Sequence, residues 1–184
     1  MVMHKLIQQY AKDLTAGRLA SGYEHSYRVY HLARRIGEGM DYDEEVLHAA
    51  CFLHDTEMSQ GHPRSSAEKA KAILQETGFA SAKIERVYHC VLNHMPGGGE
   101  ESLEGQLLHD ANLLDSLGAI GAARLSIGSL SWYRYNTMEE VMKLWQYWLS
   151  RAESFYFDKS RELAREKIEF MRLAVQQLAR ELNL

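Results

Sequence analysis

Apolar residues return every three or four positions along the whole chain and show no sustained alternation, which is the period of a helix and not of a strand. Only Pro63 and Pro96 interrupt the backbone's donors, so long stretches are free to be helical. Punctuation falls at Thr15-Ala16-Gly17, Gly37 to Asp43, Ser59 to Pro63, Gly78, and Met95-Pro96-Gly97-Gly98-Gly99. Between these marks the pattern predicts helices over 3–16, 23–38, 43–56, 65–77, 81–95, 101–117, 119–131, 137–150 and 154–182. Asp43, and Ser65 or Ser66, stand where N-caps belong. The last helix carries Leu163, Ile168, Met171, Val175 and Leu178 among Arg and Glu, an amphipathic cover. The expected architecture is an all-α, single-domain helical bundle over 1–184, its core at about 20–130 and its cover at about 137–182.

A chain of 184 residues suits one domain. Its net charge of −4 offers no basic field for a nucleic-acid polymer. No apolar run approaches the ~18 residues of a membrane span, and the N-terminal segment lacks a secretion signal, so a cytoplasmic protein is expected. Cys51 and Cys90 sit in apolar surroundings and read as free core thiols.

Function enters where polar residues occupy apolar stripes. His25 shares a stripe with Val29, Leu32 and Ile36; His54 follows Leu47 and Cys51 and is itself followed by Asp55. Asp110 interrupts Leu103, Leu107, Leu114 and Leu117, and His94 ends Ile84, Val87 and Val91. The other six histidines, His62 and His109 among them, read as surface or boundary residues. A buried carboxylate must neutralise, find a partner or bind a metal. One divalent cation shared by His25, His54, Asp55 and Asp110 would satisfy all four; nitrogen and oxygen donors suit Mn, Fe, Co, Ni or Zn, and Mg less comfortably. Hydrogen-bonded structural histidines are the competing account, and spacing alone leaves the two level.

His25, then His54-Asp55 at the end of an apolar helix, then Asp110, resembles the H…HD…D signature of the HD-domain superfamily of metal-dependent phosphohydrolases. The surrounding words extend the likeness: Glu24-His25-Ser26-Tyr27-Arg28, Ala49-Ala50-Cys51-Phe52-Leu53-His54-Asp55, and Asp110-Ala111-Asn112-Leu113-Leu114-Asp115. The resemblance, to the small single-domain bacterial members, implies a bundle converging on one metal held at the four matching positions. It implies hydrolysis of a phosphoester or phosphoanhydride bond in a small phosphorylated metabolite, a nucleotide for preference. Asp55 or Glu57 would handle the proton, while Arg28, His94, Asp115 and Arg64 would face substrate. Where relatives often carry an acid three residues after the His-Asp pair, this chain has Met58, which unsettles the role of Glu57. A non-catalytic metal- and nucleotide-binding module and a di-iron oxygenase are the alternatives, and self-association is open. Trp132, Tyr133, Tyr135, Trp145, Tyr147 and Trp148 read mostly as core or cover, with one of them available to stack on a base.

Overall fold

The computed structural model describes residues 2–58 and 62–183. Those residues form α1 (Val2–Leu14), α2 (Tyr23–Ile36), α3 (Glu44–Leu53), α4 (His62–Glu76), α5 (Ser81–Asn93), α6 (Leu103–Asp115), α7 (Gly118–Gly128), α8 (Met138–Ser150) and α9 (Asp158–Glu181), with no strand among them. The turn expected at Ser59 to Pro63 lies partly outside the described residues, and α4 begins at His62, earlier than the periodicity indicates.

The most apolar helix is the central one. Every residue of α3 from Val46 to Leu53 is buried, and α1, α2, α4, α5 and α6 pack around it. It starts where Asp43 Oδ1 accepts from the main-chain N–H groups of Glu45 and Val46, at 3.2 and 3.3 Å. Asp43 is in turn held by Lys83 and Arg86 of α5. The helix ends at Leu53, which leaves His54 and Asp55 in the turn beyond it, in the middle of the protein.

α6 is the second buried axis. Eleven of the twelve residues Glu104–Asp115 are buried, on every side of the helix. Ser102 caps its start, accepting from Gly105 N–H at 3.1 Å. At its far end the chain reverses into α7 through Gly118, whose φ of +75° is accessible to glycine without strain. α9 lies across α6, α7 and α8. The two cysteines are free and buried, and burial pushes the Cys90 thiol up to about 12.

One irregularity was not legible in the periodicity. After α7 the chain runs through a π-helical turn, Ser129–Tyr133, closed by Arg134 in the left-handed region at φ 55°. The aromatic residues Trp132 and Tyr133 are carried on this turn. No single helix among the described residues is long and apolar enough to cross a membrane; α6 and the segment after it reach that length only as a pair bent by 84°.

Candidate metal centre

Four histidines and one aspartate converge where the ends of α3 and α5 meet the starts of α2 and α4. His25 comes from the first turn of α2, His54 and Asp55 from just beyond α3, His62 from the first residue of α4 and His94 from just beyond α5. Two overlapping trios have the spacing to hold a metal ion: His25, His54 and Asp55, and Asp55, His62 and His94, each with its ligand atoms within 4.8 Å of one another.

The hydrogen bonds fix what each ring offers. His25 Nδ1 lies 2.7 Å from Asp115 Oδ2, His54 Nδ1 2.9 Å from the Cys51 carbonyl, His62 Nδ1 2.8 Å from the Glu57 carbonyl and His94 Nδ1 2.6 Å from the Val91 carbonyl. Carbonyl and ionised carboxylate oxygens only accept, so in each ring Nδ1 carries the hydrogen. A neutral ring then presents Nε2 as a bare lone pair. All four Nε2 atoms face the same place. His25 Nε2 and His54 Nε2 are 3.0 Å apart, and those of His25, His54, His62 and His94 stand 3.4, 3.6, 3.1 and 3.8 Å from the Asp55 carboxylate.

Such a centre has acceptors and no donors. Burial pushes His54 down to about 3 and His94 down to about 4, against the pull of Asp55, so both rings are neutral at pH 7. His94 Nε2 is buried with no hydrogen-bond partner. His62 is the exception: burial opposes its charge, but its hydrogen bond to Asp55 outweighs burial and raises its pKa. A proton on His62 satisfies one contact and leaves the His25–His54 pair and His94 unrelieved. A divalent cation relieves them all, and the donor set fits one. Burial works to raise the Asp55 pKa, yet the surrounding imidazoles hold the group well below the carboxylate range, as a ligand requires.

Asp115 sits behind His25, within a buried cationic hub. Besides His25 it receives Arg28 Nε at 2.8 Å, Arg28 Nη2 at 3.0 Å and Arg124 Nη1 at 3.1 Å. Burial pushes its pKa up, but His25 and Arg28 reverse that and hold it well below the ordinary range. This arrangement locks the His25 tautomer, as metal-ligating histidines generally need. Arg124 also donates to the Ala20 and Asp115 carbonyls, at 2.5 and 3.1 Å, joining α7 to the entry of α2.

The structure thus redistributes the residues singled out in the sequence. His25, His54 and Asp55 come together. Asp110 does not join them. Its carboxylate accepts from the Tyr156 and Phe157 main-chain N–H groups, each at 3.0 Å, and from His109 Nδ1 at 3.0 Å, so it anchors the entry to α9. The physical reason is that α6 is buried all round, so lying on an apolar stripe does not say which neighbour a side chain meets. The side of α6 that turns to the centre carries Asn112, Asp115 and Ser116, at i, i+3 and i+4.

His94 cannot donate to a phosphate, because its only hydrogen is spent on Val91. Arg28 and Asp115 bind each other and line a separate surface groove with Tyr27 and Lys167, not the cavity beside the centre. Arg64 is exposed on α4 and lines no part of the cavity beside the centre. Glu57 acts through its main chain: its N–H donates to Ser66 Oγ and its carbonyl accepts from Ser66 and His62, while its carboxylate is absent from both trios. Of the six histidines read as surface or boundary, His62 enters the centre, and His48 and His109 are buried.

Beside the centre opens a cavity of about 530 Å³. Asp55, His62, Asn112, Ser116 and Arg124 line its polar end; Met58, Met95, Leu125, Trp132, Tyr133 and Trp148 line the rest, with Arg134 among them. Asn112, an amide inside so apolar a helix, carries the same signal in the sequence as Asp110, and Ser116 follows it one turn later. His62 had no periodic signal at all.

The HD domain model matches residues 22–117, more than half of the chain. The chain belongs to the HD-domain family. It is 28% identical to the uncharacterised protein YpgQ of Bacillus subtilis, over 96% of this chain and 90% of that one. YpgQ has also been solved in complex with ADP, and that structure superposes with a TM-score of 0.72 at 25% identity, covering 95% of this chain and 97% of the other. A protein of Lactobacillus plantarum gives a TM-score of 0.82 at 22% identity over 99% and 97% of the two chains. A HD-superfamily hydrolase of Bacillus thuringiensis gives 0.72 at 20% identity over 99% and 97%. These structures share the fold.

Proposed function

We propose that the chain is a metal-dependent phosphohydrolase acting on a small phosphorylated metabolite, a nucleotide for preference. The observation that carries this reading is the meeting of four imidazole Nε2 atoms and one carboxylate, with more acceptors than donors, at the head of a cavity that also holds Arg124. A divalent cation bound there lowers the pKa of a water towards neutrality and polarises a phosphoryl oxygen.

The protein's own groups supply the rest. His25, His54 and Asp55 form the core of the ligand set, with His62 and His94 completing it on the other side of Asp55. Asp55 is the group placed to accept the proton when water attacks phosphorus and the bond to the leaving oxygen breaks. Arg124, beside the same cavity, offsets the charge that grows on the phosphoryl oxygens. Asn112 and Ser116 offer neutral polar groups to orient them. A nucleotide is supported by the cavity's size, within the usual ~300–1,000 Å³ of small-molecule sites, and by the ADP complex of YpgQ.

The test is a panel of nucleoside mono-, di- and triphosphates and sugar phosphates, each with Mn, Co, Ni, Mg and Zn, with every product identified. Turnover that needs the cation and disappears in Asp55→Ala supports the proposal. Tight binding of cation and nucleotide with no product from any of them would make the chain a binding module instead. Two irons per chain with uptake of dioxygen would make it an oxygenase.

A further inference from the structure

The cavity is chemically two-sided, and the phosphoryl chemistry above uses only its polar end. The other end is built from Trp132, Tyr133, Trp148, Leu125 and two methionines. Trp148, on α8, is only 6% exposed, yet its indole Nε1 has no hydrogen-bond partner. An indole N–H is a donor only, and leaving one buried and unpaired is costly. It calls for an acceptor that arrives with a ligand.

The second observation is how Trp132 is held. It rides on the π-helical turn Ser129–Tyr133, a geometry uncommon in helices and concentrated at functional sites. The turn closes through Arg134 at φ 55°, a conformation that a non-glycine residue seldom adopts. A β-carbon on Gly128 would fall on the six-membered ring of Trp132, so the ring lies over a position that glycine keeps clear. Tyr133, next to it, stacks on Tyr135 with ring centroids 5.1 Å apart. A helix that only had to cover the core would need neither the extra residue nor the bare α-carbon.

We infer that the aromatic end is a subsite for a planar heteroaromatic ring, the base of the nucleotide, with Trp132 and Tyr133 supplying ring faces and Trp148 donating to an acceptor on the ring's edge. This deepens the phosphohydrolase reading and rests on it for the placement of the phosphate at the polar end. Stacking tolerates any base, since each has a π face, and the indole donor takes an acceptor on the base's edge; a sugar phosphate has no π face to stack and no base edge to meet the indole.

The experiment compares AMP with ribose 5-phosphate, which share sugar and phosphate and differ by the base, on the full chain loaded with Mn. Calorimetry and tryptophan fluorescence report the binding. The wild-type protein is expected to bind AMP at least tenfold more tightly. Trp148→Phe, which keeps a ring and removes the donor, should weaken AMP by about three- to tenfold and leave ribose 5-phosphate within twofold. Gly128→Ala, which displaces the Trp132 ring and touches no polar group, should erode the same preference. Equal affinity for the two ligands in the wild type, or equal losses for both in the variants, would overturn the subsite. If Trp148→Phe does not fold, the wild-type comparison and Gly128→Ala decide the matter. The two readings fail separately: a strong AMP preference without turnover of any phosphate ester removes the hydrolase and keeps the ring subsite, and turnover of ring-free phosphates without that preference does the reverse.

Discussion

Replacing Asp115 by Asn changes one atom and should weaken cation binding at a centre whose inward-facing nitrogens Asp115 never touches. The carboxylate takes the His25 Nδ1 hydrogen at 2.7 Å and is clamped by Arg28 at 2.8 and 3.0 Å and by Arg124 at 3.1 Å. An amide has one acceptor oxygen and one NH₂. The two arginines, which only donate, claim the oxygen, and the NH₂ then faces His25 Nδ1. That ring nitrogen must become the acceptor, so its hydrogen moves to Nε2, 3.0 Å from His54 Nε2. The centre loses a lone pair and gains a hydrogen bond that closes the gap between the two rings. Outer-shell partners of this kind are worth about 10- to 100-fold in metal affinity, or about 1.4 to 2.7 kcal/mol. Arg124 stays buried with its charge half answered, so stability should also fall, by up to about 3–5 kcal/mol. Titrating Mn or Zn into the metal-free variant at pH 8 measures the affinity, and nitrogen NMR of the His25 ring reads the tautomer without any catalysis. A folded Asp115→Asn protein that binds the cation within twofold of wild type, with Nδ1 still protonated, would refute the reasoning.

Asp110→Ala should do the opposite: it removes the acceptor for the Tyr156 and Phe157 N–H groups, costing about 1–3 kcal/mol in denaturant unfolding, with cation affinity unchanged. His94→Leu fills the place of an orphaned nitrogen, so the metal-free protein should be at least as stable as wild type while cation binding weakens, both readable by thermal melts with and without Mn. His48, stacked on His4 away from the centre, is held neutral: burial pushes it down to about 3 from an unfolded value near 6.5. The unfolded chain therefore binds a proton there that the folded one refuses, so this stability is complete above about pH 6.5 and is lost as pH falls towards 3. By pH 5 the loss should reach about 2 kcal/mol, and His48→Leu should flatten that part of the melting-temperature profile.

Helices and their order were legible in the sequence, because an amphipathic period is a local property and each helix repeats it many times. His25 and the His54-Asp55 pair were legible for a related reason: polar groups at the ends of strongly apolar stripes have nowhere else to go. Asp110 shows where that logic stops. In a helix buried on all sides the period says that a carboxylate is inside and not which partner it finds, and the partner here is the start of a helix some 46 residues later. His62 shows the converse, a member of the buried cluster with no period to mark it, brought there only when α4 folds back beside α3 and α5.

The sequence by itself determined the helices and the burial of His25, His54 and His94. Tertiary structure alone decided which nitrogen of each ring looks inward, because that depends on a carbonyl or carboxylate supplied at its back. It also decided that Asp115 and Arg28 stand behind the centre, while Arg124 joins Asp115 to the cavity in front of it. Hydrogen-bond direction is a property of three-dimensional neighbours, and no linear pattern of residue types encodes it.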